Sequence, residues 1–551
     1  MLQFILGRAG SGKTEYLRRA LADRALSGDS KCIMLVPEQF TFETEKAMLR
    51  LAGPQRAGAI GVYSFTRLAE SVFHRLGGLA GHRLTDGGRR ILMSSALAAC
   101  EEGLEVYRSA VKSGRMTELM LTAVDELKMC GITPEDLTGA AMGLKSRGLA
   151  QKLRELSAVY AAYDALVAAS YLDSRDDLTR LYEALEGADS FSGCTVAVDS
   201  FEGFTQQELK VLSRLMTQAD RVLVSLCTDG LSKEDAGLFA LVDRTRRQLT
   251  AIAGEQGVEV LPPVTLIRSP RFHNENLKLL EAQIFCPEEV LTSPDHEGLT
   301  LYRARDVFDE SEFVAASIRR LVMEGLRYKD ITIICRNPSQ YYGSLDVALK
   351  KRDIPCFMSQ PVRVDAEPVT RFLLGAFEAV QSGLATEELL ELLKTGVSGF
   401  TAAEISDLEN YAYLWRLSGP AWRESFARHP RGFGWEMTEE DGLELSRLNA
   451  LRARLVPPLE VFAAATADCS GAEMSQACYD LLISFGLEET LPEYCRQLEL
   501  AGEDAIAARQ LRVWDLLMET LDQLHSILGD RRTTRERYYR LLKEVLSAED
   551  V

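Results

Sequence analysis

Apolar residues follow two rhythms along the chain. Mostly apolar runs occur at Leu2–Leu6 (LQFIL), Cys32–Pro37 (CIMLVP), Ala59–Phe65 (AIGVYSF), Cys194–Asp199 (CTVAVD) and within Ala219–Asp229 (ADRVLVSLCTD). A run that is apolar on both faces reads as a buried strand of a parallel sheet. Between the runs the spacing turns helical, as in Tyr16, Leu17, Ala20, Leu21 and Ala25 after the first one. Strands alternating with helices predict an α/β fold with a parallel sheet. From Thr85 to Gly187 the spacing is helical throughout, in ILMSSALAAC, MTELMLTAVDELKMC and LRELSAVYAAYDALVAA. That predicts a mostly helical insertion into the first α/β domain. Ile331–Cys335 (ITIIC) predicts a further strand, and LATEELLELLKTGV onward a second, mostly helical stretch.

The first strand runs directly into GRAGSGKT, Gly7–Thr14, which matches G-x-x-x-x-G-K-[ST]. Strand, glycine-rich loop and helix in that order are the context of a phosphate-binding P-loop. The residues Gly7, Arg8, Ala9, Gly10, Ser11, Gly12, Lys13 and Thr14 are therefore candidate nucleotide ligands. Backbone N–H groups and the helix N-terminus would face the phosphates. Lys13 would reach the β- and γ-phosphates, and Thr14 would ligate Mg²⁺. CTVAVD has the form of a Walker B strand, with Asp199 at its tip facing a Mg²⁺-bound water. An apolar strand ending in Asp is common by itself, and the P-loop gives this one its meaning.

Composition narrows the class. The chain has 551 residues, 46% hydrophobic and 26% charged, ordinary for a globular protein of several domains. Lys and Arg number 63 against 81 Asp and Glu, a formal charge of −18. This excludes a uniformly basic nucleic-acid coat but not a basic channel inside an acidic shell. If DNA is held, basic side chains should gather on one inner surface and the helical insertions should carry the acid. Eleven cysteines, none in CxxC spacing, point to free thiols in a reducing cytoplasm rather than to zinc or disulfides. No signal-peptide pattern opens the sequence, and no run of about 18 apolar residues predicts a membrane helix.

GRAGSGKT, LVPEQFTFETEKAML, GVYSFTRLAESVF and VAVDSFEGFTQQEL, in that order, resemble the AddB family. Its members are one of the two subunits of AddAB-type ATP-dependent helicase–nucleases, which process double-strand DNA breaks, and have superfamily 1 helicase architecture. VPEQFTFETE, Val36–Glu45, is the most specific stretch. The resemblance continues through LTLYRARDVFDESEFVAASIRRLV and ITIICRNPSQYYGSLDVALKKRDIPCFM, so it spans residues 1–358. It implies two RecA-like P-loop domains with parallel sheets, each carrying a mostly helical insertion. The first would be 1–84 with 190–299, interrupted by a helical insertion at 85–189. The second would start at 300–375, with its helical insertion at 376–551.

The resemblance also implies roles. Ser64, Phe65, Thr66 and Arg67 match a helicase motif on the DNA backbone, where Phe65 either stacks on a base or is simply core. Arg336, after ITIIC, corresponds to the arginine that stabilises γ-phosphate charge from the second domain. ATP, Mg²⁺, single-stranded DNA, duplex DNA ends and an AddA-like helicase–nuclease subunit, in a heterodimer, are the implied ligands and partners.

Departures from the pattern alter the expected activity. An active motor carries Asp-Glu after the Walker B strand, the Glu orienting the attacking water. Ser200 stands in that place, and Glu202 could serve as base only if the turn re-aims it. No glutamine-containing adenine clamp precedes the first strand, and VLVSLCTD lacks the acidic, glutamine-rich tail that couples nucleotide to DNA. The expectation is a non-motor arm that binds nucleotide and scans one DNA strand; the alternative is an active superfamily 1 ATPase. A small-molecule P-loop kinase fits poorly with the length. The sequence reads as an N-terminal half, with the nuclease domain and an iron–sulfur cluster expected in a missing C-terminal half. RRTTRERYYR, Arg531–Arg540, interleaves arginines with tyrosines and reads either as a single-strand contact or as a solvated helix face.

Overall fold

A computed structural model describes residues 1–551 apart from 28–30, 54–56, 112–113, 230–236, 286–296, 357 and 359–361. The chain divides into two compact units, residues 1–83, 122–157 and 167–303 in the first and 84–121, 158–166 and 304–551 in the second.

The first unit is built on a six-stranded, all-parallel sheet. Its strands are β1 (Leu2–Gly7), β2 (Lys31–Leu35), β3 (Ile60–Tyr63), β6 (Cys194–Val198), β7 (Arg221–Cys227) and β8 (Val260–Leu266), in the order β3-β2-β6-β7-β1-β8. Two short strands, β4 (His82–Arg83) and β5 (Tyr171–Leu172), pair separately. Side chains alternate across the sheet, as a two-residue period requires. Phe4 and Leu6 join Val196, Val198, Val222 and Val224 on one face, under helices α3 (Phe65–Leu76), α8 (Asp177–Glu186), α9 (Gln206–Gln218) and α10 (Ala240–Glu255). Ile5 joins Met34, Val62, Ala197 and Leu223 on the other, under α1 (Lys13–Ser27) and α2 (Thr41–Ala52). Apolar cover on both faces explains why the central strands read as mostly apolar runs.

Strand β8 has no such run. Its sequence VLPPVTL is largely exposed and carries Pro262 and Pro263. Proline donates nothing to a ladder and is tolerated at a sheet edge, which is where β8 lies.

The helical stretch after β4 contains α4 (Asp86–Cys100), α5 (Gly114–Met129), α6 (Pro134–Met142) and α7 (Arg147–Ser170) before α8. Residues 84–121 and 158–166 group with the second unit. The cause is visible in α4. A Cβ on Gly87 would strike Val545, and one on Gly88 would strike the Gln523 side chain, so the helix backbone lies directly against these side chains. Ile91 of α4 is part of the second unit's main core.

That core belongs to α14 (Pro368–Gln381) through α21 (Arg535–Leu546), around Phe372, Phe377, Trp422, Phe462 and Tyr538. Between them lie α15 (Thr386–Leu393), α16 (Ala402–Trp415), α17 (Glu439–Ala465), α18 (Gly471–Ser484), α19 (Leu487–Leu500) and α20 (Asp504–Leu528). Capping boxes Thr401/Glu404, Thr438/Asp441 and Ser470/Glu473 start α16, α17 and α18. A smaller core joins α12 (Val307–Met323) to α13 (Leu345–Lys350) through Ala315, Ile318, Leu345 and Leu349.

The expected strand at Ile331–Cys335 is not formed. The segment is extended, but no strand among the described residues pairs with it, and Ile334 is 91% exposed. Apolar alternation supplies one face of a strand; a neighbouring chain must supply the hydrogen bonds. The parallel sheet of a second RecA-like domain is therefore absent among the described residues.

Candidate nucleotide-binding site

The P-loop leaves the sheet where a ligand is expected in an α/β fold. Gly7 ends β1, Lys13 opens α1, and β1 has β7 on one side and β8 on the other. Gly10 and Gly12 have φ of +75° and +90°, the left-handed region that a side chain disfavours. Gly7 is needed for closeness, because a Cβ there would strike the Ser11 hydroxyl and lie 2.8 Å from the Leu266 carbonyl oxygen. Ser11 Oγ is buried without a hydrogen-bond partner. An unsatisfied buried hydroxyl inside a nest of N–H groups suits an incoming phosphate oxygen.

Lys13 Nζ donates to the carbonyl oxygens of Gly7 at 2.8 Å and Arg8 at 3.0 Å. Burial pushes its ammonium below the ordinary lysine value, and the charge of Arg271 adds to this, while Cys227, Asp199 and Glu281 oppose it. Asp199, 2% exposed, follows β6. One carboxylate oxygen accepts from the Ser225 hydroxyl and the other from Ser200 Oγ at 3.3 Å. Strand β7 separates β6 from β1, so Asp199 and the P-loop emerge about 10 Å apart at the same sheet end. Lysine, aspartate, half-buried Thr14 and the loop amides form a donor set that fits a Mg²⁺-nucleotide.

The turn after Asp199 begins with a serine rather than a carboxylate. Ser200 takes φ +67° and is exposed. The chain then buries Phe201 and Phe204 against Phe65, with ring centroids 5.5 and 6.2 Å away. Glu202 sits between these anchors with an exposed side chain. Its carbonyl accepts from Thr245 Oγ1 at 3.0 Å, and no hydrogen bond or ion pair among the described residues involves its carboxylate.

Phe65 itself is 5% exposed and belongs to the sheet core. This burial accords with its reading as a core residue, and the ring packs edge-to-face with Phe201 and Phe204. Ser64 caps α3, accepting from the Arg67 N–H, while the Thr66 and Arg67 side chains face out. Arg67 pairs with Glu45 at 3.4 Å. Arg336 lies in the second unit and is exposed.

Sequence reasoning missed the segment after β8. Ser269 Oγ donates to the Ala9 carbonyl at 3.0 Å, and the Arg271 N–H to the Gly10 carbonyl at 3.4 Å. Arg8 holds Glu281 on α11 (Glu275–Gln283) through its carboxylate at 3.1 Å and its carbonyl at 2.9 Å. The segment thus lies on the loop and brings a second cation, Arg271, to Lys13. Its one sequence signal, an arginine beside an aromatic in SPRFH, is too common to find alone.

The family described as "ADDB, N-terminal" matches residues 4–281, half of the chain. The chain belongs to this AddB family. Curated relatives bear the name of a subunit of an ATP-dependent helicase/deoxyribonuclease. One, from Caldanaerobacter subterraneus subsp. tengcongensis, is 30% identical over 98% of this chain and 48% of that protein. Those from Thermoanaerobacter sp. strain X514 and Acetivibrio thermocellus are 31% and 28% identical, with the same shares. The chain thus spans about half the length of the AddB relatives it matches. Among the described residues no helix is long and apolar enough to cross a membrane, and no group of three or more His, Cys, Asp or Glu side chains is placed to hold a metal ion.

Proposed function

We propose that this chain is the helicase-like part of a subunit of an ATP-dependent helicase–nuclease that processes double-strand DNA breaks for recombinational repair. It binds Mg²⁺-ATP and single-stranded DNA and serves as a non-motor scanning arm beside an AddA-like partner in the cytoplasm. A second RecA-like domain, completed around Ile331–Cys335, and an iron–sulfur nuclease domain belong to the whole subunit in this reading.

One observation carries the non-motor reading. The P-loop glycines, Lys13 and Thr14 support phosphate binding, whereas the position after Asp199 holds an exposed, left-handed serine. Bound Mg²⁺ would supply charge neutralisation between the phosphates. Lys13, now donating to two loop carbonyls, would turn to the phosphate oxygens, and Asp199, held by Ser225 and Ser200, would help hold the ion. With Ser200 directly after Asp199 and the Glu202 side chain exposed, the site in this reading holds nucleotide without turning it over.

The charge distribution supports a DNA-facing arm. Residues 376–551 contain 17 Lys and Arg against 31 Asp and Glu, and residues 85–189 contain 12 against 17. The remainder holds 34 against 33. All of the acid excess therefore sits in the two helical stretches, and the remainder is close to neutral, which lowers its repulsion of phosphate.

ATP turnover with and without single-stranded DNA, for this chain and for Lys13→Ala, tests the reading. The expected result is nucleotide binding that Lys13→Ala removes, with turnover at background. DNA-stimulated hydrolysis that Lys13→Ala abolishes would favour an active motor instead.

A further inference from the structure

The arginine-rich segment RRTTRERYYR plays no part in the site above, and the structure sorts its arginines. Arg532 is ion-paired with Asp468, and Arg535 donates to Thr466 Oγ1 at 2.8 Å and the Ala463 carbonyl at 2.5 Å. Both are thus engaged within the chain, Arg532 in a surface pair and Arg535 against the end of α17. Arg537 and Arg540 are different. They lie three residues apart on one face of α21, both exposed, and neither has an ion-pair partner within reach among the described residues. The opposite face of α21 is buried through Tyr538, Leu542 and Val545, so the helix cannot roll to hide them.

The two guanidinium groups line a small notch of about 40 Å³ with Ser94 of α4, Thr117 of α5 and Glu544 of α21. Thr117 is 4% exposed. Hydroxyls from α4 and α5 and guanidinium groups from α21 supply donors around the notch, beside the Glu544 carboxyl. Burial raises the Glu544 carboxyl above its ordinary value, and the charges of Arg540 and Arg90 oppose that rise. The volume admits the free oxygens of one phosphate and excludes a nucleoside.

From this geometry we propose that the Arg537–Arg540 notch seats one backbone phosphate of a nucleic-acid strand, a contact in the second unit separate from the P-loop. A planar guanidinium pair with hydroxyl donors matches phosphate geometry, and a phosphodiester needs only its two free oxygens admitted. A free mononucleotide or inorganic phosphate would present the same oxygens, and the experiment separates these sources.

The test is fluorescence anisotropy of labelled (dT)20 against this chain across a salt series, comparing wild type with Arg537→Ala/Arg540→Ala. The double variant should weaken binding about tenfold at low salt and flatten the log–log salt slope by about 0.7, one phosphate contact on a single strand. Affinity of the P-loop for a fluorescent ATP analogue should not change. Because a variant could disturb packing, phenylglyoxal labelling of the wild-type chain with peptide mapping gives a second readout. Arg537 and Arg540 should be protected by (dT)20 and not by inorganic phosphate at the same phosphate concentration. An unchanged slope with unprotected arginines would overturn the proposal, as would absent DNA binding by the wild type. Protection by inorganic phosphate or ATP alone would overturn it in favour of a small-anion site.

Discussion

Replacing Gly10 by alanine probes how the P-loop is held, with Gly12→Ala as its control. Both glycines have positive φ, so each substitution carries the left-handed penalty of about 1–2 kcal/mol. Their surroundings differ. A Cβ on Gly10 would lie 2.7 Å from Ser269 Oγ, 2.9 Å from Arg271 Cβ and 3.1 Å from Phe272 Cε2. The Ser269 hydroxyl could rotate, but Arg271 Cβ is fixed to the backbone, so the segment after β8 must move. Overpacking of this kind adds about 1–3 kcal/mol. A Cβ on Gly12 meets only Pro270 Cγ at 4.0 Å, ordinary contact. Gly10→Ala should therefore destabilise by about 2–5 kcal/mol and Gly12→Ala by about 1–2 kcal/mol. Urea denaturation followed by circular dichroism reads the difference in midpoint at constant slope. Equal losses for the two variants would refute the packing of Ser269–Phe272 on the loop.

Other outcomes follow from the same geometry. Phe65→Ala should lower stability by about 3–5 kcal/mol, because it removes a core ring that also packs on Phe201 and Phe204; full stability with lost DNA affinity would return Phe65 to a stacking role. Ser225→Ala removes a buried donor to the Asp199 carboxylate and should cost about 1.5–3 kcal/mol in a denaturant titration. Nucleotide affinity should decline with rising pH, since the Lys13 cation is present below its pKa and lost above it. Burial places that decline below the ordinary lysine range, and Lys13→Arg should move it to higher pH. A fall-off at or above the ordinary value, measured with a fluorescent ATP analogue, would contradict the buried setting of Lys13.

Much of the first unit was legible because its signals are local. The GRAGSGKT loop needs glycine, lysine and threonine at fixed spacing, and CTVAVD names both its strand and the acid at its tip. The five mostly apolar runs became the buried strands, since each is covered on both faces. What the sequence hid was set by distant partners. Prolines masked β8, which only an edge position tolerates. The contact of Ser269 and Arg271 with the P-loop joins residues some 260 apart in sequence, and no local pattern marks it. Ile331–Cys335 failed in the opposite way: its pattern is that of a strand, but no described strand lies beside it. Phe65 shows why a motif residue needs its surroundings, for the same aromatic serves base or core depending on what packs above it.

In the proposed function, this chain holds ATP without consuming it. The most direct measurement is the fate of radiolabelled ATP bound to the chain with saturating single-stranded DNA and Mg²⁺, separated by thin-layer chromatography after many minutes. The account predicts near-stoichiometric retention, recovered as ATP, and no retention by Lys13→Ala. Recovery as ADP over many turnovers, dependent on DNA and on Lys13, would contradict it.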